Sequence, residues 1–286
     1  VDPAVVGAAM PEDPTVSVDM TDLLTPIRQT LTGRDVFALP LNDVDVTAVA
    51  TSPQNPLVRE SVRRSTDLNT LAQIASVPGL VLPVNGELGP ATPAKLNTLY
   101  ATALGKQPST LIVNSTQVKN TTNYTVATEA AGAGGTRILV SDRSLDTLLT
   151  KVAKPETSGL ATQRFLAETM TLLAEAPGTD RSVLVVAPRG MDVDASALGS
   201  FLETLQTTPW LHGVPVSSLA AASSSRPLPA ANLVPVVPQS GVLTPYRLGV
   251  LADQDGVITR TSTVLRDGTA FRTANHEVLL ALLSAR

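Results

Sequence analysis

Short apolar runs closed by turn residues alternate along this chain with longer segments of helical period, and no other feature restricts the fold as strongly. The runs are rich in Val, Ile and Leu and are continuous rather than alternating in polarity, which is typical of parallel strands buried on both faces. Strand followed by helix throughout predicts a parallel sheet with helical crossovers. The predicted strands are Val36–Leu39, Gly79–Leu82, Leu111–Val113, Arg137–Val140, Val183–Val186 and Val214–Val216.

Five segments carry helical period. In the clearest of them, Leu166, Met170 and Leu173 fall at i, i+4 and i+7 on one face. In the same segment, Arg164 and Glu168 are spaced to pair at i and i+4. The predicted helices are Thr21–Leu31, Ser61–Ala75, Thr92–Leu104, Thr157–Ala176 and Ala195–Leu205.

The absence of a dinucleotide-binding motif, rather than the number of strands, favours a barrel. With Val1-Asp2 counted as the stub of a first strand, the six runs become seven strands, which suit an incomplete barrel as well as a doubly wound sheet. No glycine-rich dinucleotide fingerprint follows an early strand, so the usual signature of the doubly wound sheet is missing. We therefore expect an α/β fold, a (β/α) barrel of seven parallel strands. The length of 286 residues is normal for one such barrel.

The character of the chain changes after Leu219. Ala220–Pro238 is rich in Ala, Ser and Pro and has no clear period, so we predict an irregular connection there. Glu277–Leu283 is predicted to be a closing helix. The expected organisation is a barrel over residues 1–219, with the connection and closing helices of residues 220–286 packed on it in the same domain.

Composition excludes several classes of chemistry. Apolar residues at 43% and charged residues at 16% are typical of a folded protein. A net charge of −4 gives no field that would gather phosphates, so we expect no nucleic-acid partner. With no cysteine and only His212 and His276, the chain lacks thiolate nucleophiles, sulfur ligands and an imidazole cage. We therefore expect neither a metal site nor a cofactor.

Two features bear on the membrane. No apolar run approaches the roughly 18 to 20 residues that span a bilayer. The chain opens on Val1-Asp2-Pro3 without an initiator Met or a signal peptide, which we interpret as the start of a fragment of a longer protein. Targeting segments are then expected to lie outside the chain.

Polar residues follow the predicted strands at their carboxyl ends. In parallel β/α folds these ends gather at one face, and the loops there carry the site. The predicted rim is polar and mostly acidic. Its members are Asp2, Asp43, Asp45, Asn85, Glu87, Asn114, Asp142 and Arg189.

Rim residues have both functional and structural interpretations. Asp43 and Asp45, with Asp2 and Glu87, can supply the pair of carboxyl groups that glycoside hydrolysis needs. Alternatively, Asp43 or Asp45 caps the helix that follows. Arg189 can clamp a carboxylate or phosphate through two parallel hydrogen bonds, or it can pair with a rim aspartate.

Three further residues are candidates for ligand binding. Gln163 and Arg164 lie in the first turns of the clearest helix, whose positive end favours an anion, although a solvated helix start explains them equally. Trp210, the only tryptophan, can stack on a sugar or serve packing. Aromatic residues make up only 3% of the chain, so there are few platforms for a polysaccharide.

Six runs, spread over most of the chain, carry a resemblance to a known family. They are Val1–Ala4, Phe37–Pro40 with Asp43–Asp45, Leu82–Gly86, Gln163–Thr169, Val186–Arg189 and Pro209–Leu211. Together they resemble an actinobacterial group of uncharacterised, secreted or membrane-anchored proteins encoded beside the lipid II flippase MurJ (MviN). The resemblance implies an extracytoplasmic setting, cell-envelope work, a longer membrane-anchored parent, and a barrel similar to the glycoside hydrolase/deacetylase superfamily. It implies no reaction.

The chain departs from related patterns in two places. The Pro-Tyr-x-Asp-Pro-Asp pattern of the family is replaced by Pro-Leu-Asn-Asp-Val-Asp at residues 40–45, so a role for that tyrosine is not expected here. Metal-dependent polysaccharide deacetylases combine Asp-x-Asp with His-x-x-x-His, and this chain has only the first. Zinc-dependent deacetylation is therefore not expected.

Three functional hypotheses follow. The leading one is a non-catalytic binding or scaffolding module that holds a glycan, a glycolipid or a membrane partner such as the lipid II flippase at the acidic rim. In that role it would assist peptidoglycan precursor export or envelope assembly. The rival is a metal-independent glycoside hydrolase that uses Glu87 with Asp43 or Asp45. The third is a structural spacer whose mouth is plugged by Ala220–Pro238.

Overall fold

The computed structural model of the chain describes residues 18–50, 52, 55–67, 74–86, 88, 92–106, 108, 110–120, 124–126, 128–132, 136–222, 232–234 and 243–284. They divide into two compact units. The first comprises Val1–Val84, Leu88–Leu111 and Val237–Arg286, and the second comprises Asn85–Glu87 and Ile112–Val236, within the described ranges. The boundary expected at residue 219 stays a prediction.

Helices dominate both units. In chain order they are α1 (Val18–Leu31), α2 (Val46–Val49), α3 (Pro56–Arg63), α4 (Thr92–Leu104), α5 (Arg143–Val152), α6 (Pro155–Glu175), α7 (Ala195–Thr207), α8 (Val216–Ala222), α9 (Pro245–Ser262) and α10 (Gly268–Ala281). Helix α4 has the predicted bounds, and α6 and α7 match their predictions within two residues. Helix α5 was not predicted, and the helix expected at Glu277–Leu283 begins earlier, at Gly268.

The strands are short. They are β1 (Phe37–Ala38), β2 (Val77–Pro78), β3 (Leu80–Val81), β4 (Thr110–Asn114), β5 (Glu129–Ala131) and β6 (Arg137–Ser141). Strands β1 and β2 form a parallel pair, and the other sheet has the order β3-β4-β6-β5. Strand β3 runs parallel to β4 with Leu80 opposite Thr110, whereas β5 runs antiparallel to β6. All five residues of β4 are buried, as the continuous apolar run predicted.

The α/β class with mainly parallel pairing is confirmed, but the described residues do not form the expected barrel of seven parallel strands. Val183–Val186 contributes one parallel bridge, between Leu184 and Ser141, instead of a strand. The strand predicted at Val214–Val216 is wrong, because Val216 begins α8. Pro215 lacks the amide proton that a ladder needs, which accounts for this error. Val1-Asp2 lies outside the described residues.

The core of the first unit is built on α3. Asn55 caps this helix, with Oδ1 accepting from the amides of Leu57 and Val58 at 3.0 and 3.5 Å. Its Nδ2 donates to the carbonyl of Leu248 on α9 at 2.9 Å. Helix α3 packs against α4 and α10, and α9 packs against α10. The largest side chains that these contacts bury completely include Leu57, Leu96, Leu99, Tyr100, Leu248 and Leu280.

The core of the second unit lies between α5, α6 and α7. Phe165 on α6 meets Phe201 on α7 edge to face, with ring centroids 5.0 Å apart. The buried face of α6 also carries Ala161 and Thr169. Met170 and Leu173, from the face that the sequence singled out, are each 41% exposed. None of the described helices is long and apolar enough to cross a membrane.

Candidate ligand-binding cleft

Two predicted rim residues meet where β4 and β6 end. These strands are neighbours in the sheet, Asn114 is the last residue of β4, and Asp142 follows β6 directly. The loops beyond the strands touch, because the amide of Arg143 donates to Oγ of Ser115 at 3.1 Å. The strand-end rule therefore brought Asn114 and Asp142 together correctly.

Asn114 has a structural role at this point. It is 2% exposed, and its Oδ1 accepts from the amide of Thr116 at 3.0 Å and from the hydroxyl of the same residue. It thereby caps the 3₁₀ turn Ser115–Gln117. The capped turn fixes Ser115 and Thr116 beside the end of the strand.

The turn Val84–Gly86 packs directly on Asn114. Gly86 has a φ of +67°, and a Cβ placed on it would lie 2.8 Å from the backbone nitrogen of Asn114. The turn that contains Asn85 therefore approaches Asn114 at Gly86, and this approach depends on glycine at residue 86. The side chain of Asn85 and the whole of Glu87 lie outside the described residues.

We expect Gly86→Ala to lower the free energy of unfolding by about 2 to 3 kcal/mol, because it adds a clash with backbone to the strain of a positive φ. Gly105→Ala is the matched control. Gly105 has a φ of +70°, and a Cβ placed on it would meet no atom of the described residues within 4 Å, so it tests the strain alone. Its cost should be about 1 kcal/mol in urea denaturation. Equal costs for the two variants would contradict the packing of the turn on Asn114.

A cleft of about 330 Å³ opens beside these strand ends, within the size range of small-molecule pockets. Its lining is rich in groups that both donate and accept hydrogen bonds, together with carboxylates. The hydroxyl residues are Ser115, Thr116, Thr125, Ser144 and Thr171, and the acidic residues are Asp142, Glu168 and Glu175. A narrower cavity of about 20 Å³, with room for about one water molecule, shares Ser115, Thr125 and Asp142 with the cleft.

The two carboxylate oxygens of Asp142 differ in their hydrogen bonds. Oδ1 accepts from the amides of Ser144 and Leu145 at 2.9 and 3.0 Å and caps α5. Oδ2 has no hydrogen-bond partner among the described residues. Since Asp142 also lines the cleft, this oxygen is available to a ligand.

Glu168 lines the cleft from α6 and lies 4.0 Å from Arg164, so the predicted i, i+4 pair is confirmed. Both side chains are well exposed, at 43% and 66%. Gln163 and Arg164 do not lie in the first turn, because α6 begins at Pro155. The dipole of a helix acts within its first turn, so the anion-binding interpretation of Gln163 and Arg164 is wrong.

Two of the remaining predicted rim residues, Asp43 and Asp45, do not line the cleft. Asp45 caps α2, with Oδ1 accepting from the amides of Thr47 and Ala48 at 3.0 and 3.2 Å, so the structural alternative holds for it. Asp43 is buried at 2% exposure in the turn Leu41–Asp43. Both belong to the first unit, whereas Asn114 and Asp142 belong to the second. Asp2 lies outside the described residues.

Neither Arg189 nor Trp210 lines the cleft that the described residues form. Arg189 is half-buried in a turn in which the amide of Met191 donates to the carbonyl of Pro188 at 3.3 Å. The indole N–H of Trp210 donates to Oγ1 of Thr169 on α6 at 3.2 Å. This bond ties the turn after α7 to α6 and favours the packing interpretation of the tryptophan.

Most of the cleft residues were missed from sequence. Helix α5 had a usable signal: Leu145, Leu148, Leu149 and Val152 repeat at i, i+3, i+4 and i+7 after the capping residue Asp142. That signal would have placed Ser144 at the helix start. No comparable local signal brings Thr125 to Glu175, which are 50 residues apart.

The described residues contain no group of three His, Cys, Asp or Glu side chains that could hold a metal ion. The buried carboxylate beside the cleft, Asp146, serves the fold. Its Oδ1 accepts from the amide of Val186 at 2.7 Å and its Oδ2 from the hydroxyl of Ser141 at 2.8 Å. Burial raises the pKa of Asp146, against the effect of these two hydrogen bonds.

Known proteins provide three comparisons. A model of a family described as a family of unknown function, DUF6049, matches residues 1–284. No curated protein matches the sequence. Among solved structures, the novel alpha-amylase AmyC from Thermotoga maritima is similar, with a TM-score of 0.59 and 11% identity. The match covers 91% of this chain and 63% of the amylase chain, and at this identity it shows the fold alone.

Proposed function

The chain belongs to DUF6049, a family of unknown function, and we propose that its second unit is a carbohydrate-binding module. The cleft at the ends of β4 and β6 carries this proposal. Sugar hydroxyls donate and accept hydrogen bonds at once, so they suit a lining of hydroxyl and carboxylate groups. The volume of about 330 Å³ is adequate for a small saccharide.

The likeness to an α-amylase supports a carbohydrate-related origin for the fold. We propose that the fold derives from a seven-stranded (β/α) barrel of the glycoside hydrolase/deacetylase type. The single parallel bridge between Leu184 and Ser141 would then mark the position of a reduced barrel strand.

The hydrogen bonds and the exposure of the carboxylates that line the cleft favour a binding role over a catalytic one. One oxygen of Asp142 caps α5, and both oxygens of Glu175 accept hydrogen bonds from Thr125. Glycoside hydrolysis needs a general acid that its surroundings keep protonated, and burial is the usual means. Glu168, the remaining acid, is 43% exposed.

The setting is proposed from the resemblance of the six sequence runs to envelope proteins encoded beside the lipid II flippase. We infer an extracytoplasmic module of a membrane-anchored parent that binds a cell-envelope glycan or glycolipid. A membrane protein such as the flippase is the proposed partner, and the proposed task is precursor export or envelope assembly. Solvent-accessible cysteine labelling of the parent protein in intact cells would test the location.

A metal-independent glycoside hydrolase is the second candidate. Asp142 and Glu168 line the same cleft of a fold that is similar to an α-amylase. Asp142 and Glu168 are therefore the candidate carboxylates for this reaction, because the structure brings both of them to one cleft. They take the place of the pair expected from the sequence, which was Glu87 together with Asp43 or Asp45. Release of reducing sugar by the wild-type chain, lost in Asp142→Ser, would favour this candidate.

We expect Asp142→Ser and Asp142→Ala each to weaken saccharide binding about tenfold, because both remove a carboxylate from the lining of the cleft. Only the alanine variant should lose stability, by about 1 kcal/mol, since serine still caps a helix. The measurement is calorimetric titration with a soluble peptidoglycan disaccharide and with maltotetraose. Asp194→Ser is the control, because Asp194 caps α7 outside the cleft. Wild-type affinity in both Asp142 variants would contradict the proposed site.

A further inference from the structure

One wall of the cleft is held by three residues from two distant parts of the sequence, which we call the latch: Thr125, Glu175 and Arg181. Oε2 of Glu175 accepts from the amide of Thr125 at 2.9 Å, and Oε1 accepts from its hydroxyl at 2.8 Å. Arg181 donates to Oε2 of Glu175 at 2.7 Å and to the carbonyl of Thr125 at 3.0 Å. The amide, hydroxyl and carbonyl of Thr125 are therefore all bonded within the latch.

We propose that Glu175 and Arg181 are positioning residues of the carbohydrate site, which hold residues 124–126 as a wall of the cleft. The inference rests on the function proposed above. Thr125, Val126 and Glu175 all line the cleft, so the place of the wall is set by the same bonds that form the latch. A ligand therefore binds to a wall that is already ordered. If the wall became ordered only on binding, the loss of conformational entropy would lower the affinity.

Arg181 gives the latch its strength. Its guanidinium also donates to the carbonyl of Leu172 at 3.1 Å, which fixes it against the last turn of α6. Hydrogen bonds between a guanidinium and a carboxylate are stronger than those between neutral groups. Here both side chains are at least three-quarters shielded from solvent, with 21% and 25% exposed. The hydrogen bond from Arg181 lowers the pKa of Glu175, so the carboxylate stays ionised near neutral pH.

The wall is also held beyond the latch. Nδ2 of Asn120 donates to the carbonyl of Tyr124 at 2.7 Å, so the described segment is bonded at Tyr124 and at Thr125. The side chain of Tyr124 is 53% exposed and stands next to the cleft residues in sequence.

The hydrogen bonds of the latch give Glu175 a different role from that of Asp142, the other acid discussed for the cleft. Glu175 accepts two hydrogen bonds from Thr125 and one from Arg181, which also neutralises its charge, so most of its acceptor capacity is used within the latch. Asp142 lines the cleft, and both of its hydrogen bonds use Oδ1, which leaves Oδ2 without a partner among the described residues. Loss of Glu175 should therefore act through the wall, whereas loss of Asp142 should act on the ligand directly.

Arg181→Met and Glu175→Gln test the latch through two readouts. Hydrogen exchange at the amides of residues 124–126 should rise about tenfold, because their closed state loses charge-assisted bonds. Affinity for the peptidoglycan disaccharide or maltotetraose, whichever the wild type binds, should fall about fivefold or more. Thr125→Val should raise exchange and weaken binding more than Thr125→Ser does, since only serine keeps the hydroxyl that donates to Glu175. Arg63→Met, which breaks an ion pair with Glu60 on α3 in the first unit, should change neither.

The outcomes separate the two proposals. Faster exchange together with weaker binding supports the latch as a positioning device. Unchanged exchange at residues 124–126 overturns it, and so does faster exchange with unchanged affinity. A wild-type chain that binds no saccharide instead overturns the proposed function, and the positioning role with it.

Discussion

Phe165→Ala is expected to lower the free energy of unfolding of the second unit by about 3 to 5 kcal/mol. Phe165 is 5% exposed and makes the edge-to-face contact with Phe201 that joins α6 to α7. Its truncation removes a large apolar side chain from the centre of the cluster formed by α5, α6 and α7 and leaves a cavity. Helix α6 carries Glu168, Thr171 and Glu175 of the cleft, so saccharide affinity should fall as well.

The single tryptophan provides the measurement. Trp210 is bonded to Thr169 on α6, so its fluorescence during urea denaturation reports on the second unit. Leu160→Ala is the matched control, because Leu160 lies on the same helix and is 80% exposed. Its cost should stay within about 0.5 kcal/mol. Similar midpoints for the two variants would show that α6 is not anchored through Phe165.

The strands that could be predicted from sequence are those whose hydrogen bonds stay within the sheet. Leu111–Val113 and Arg137–Val140 are continuous β-branched and leucine runs, and the structure extends each by one or two residues. Val183–Val186 has a similar composition, but its backbone groups have different hydrogen-bond partners. Asp146 accepts the amide proton of Val186, and the amide of Asp142 donates to the carbonyl of Leu184 at 2.9 Å. Side-chain competition of this kind has no local sequence pattern.

The strand-end rule predicted part of the site. It identified Asn114 and Asp142, which follow neighbouring strands, and the structure places them in one unit beside one cleft. It also selected Asp45, whose carboxylate caps a helix, because a cap and a ligand-facing aspartate occupy the same sequence position after a strand. The wall at Thr125 was beyond prediction, since its bonds to Glu175 and Arg181 span 50 and 56 residues.

Asp146→Leu is the second substitution with a large expected effect, a loss of about 3 kcal/mol in the free energy of unfolding. The leucine leaves the amide of Val186 and the hydroxyl of Ser141 without their acceptor in a buried place, and each such loss costs about 1 to 3 kcal/mol. Asp146→Asn should cost less, because its amide oxygen still accepts from Val186 and its amide nitrogen can donate to Ser141. Urea denaturation of the three chains measures both effects.

The asparagine variant also isolates the titration of Asp146. Burial raises the pKa of this carboxyl in the folded chain, so the folded state holds its proton to a higher pH than the unfolded state does. As pH rises from about 4, the usual aspartate pKa, through the raised value, the unfolded state ionises first and the free energy of unfolding falls. Asp146→Asn lacks this titration, so the wild-type advantage over it should be largest in acid and should shrink as pH rises through the raised pKa. A difference in the free energy of unfolding between wild type and Asp146→Asn that stayed constant from about pH 3 to about pH 7 would show that Asp146 is not desolvated. The hydrogen bonds that Asp146 accepts from Ser141 of β6 and from Val186 would then be open to water.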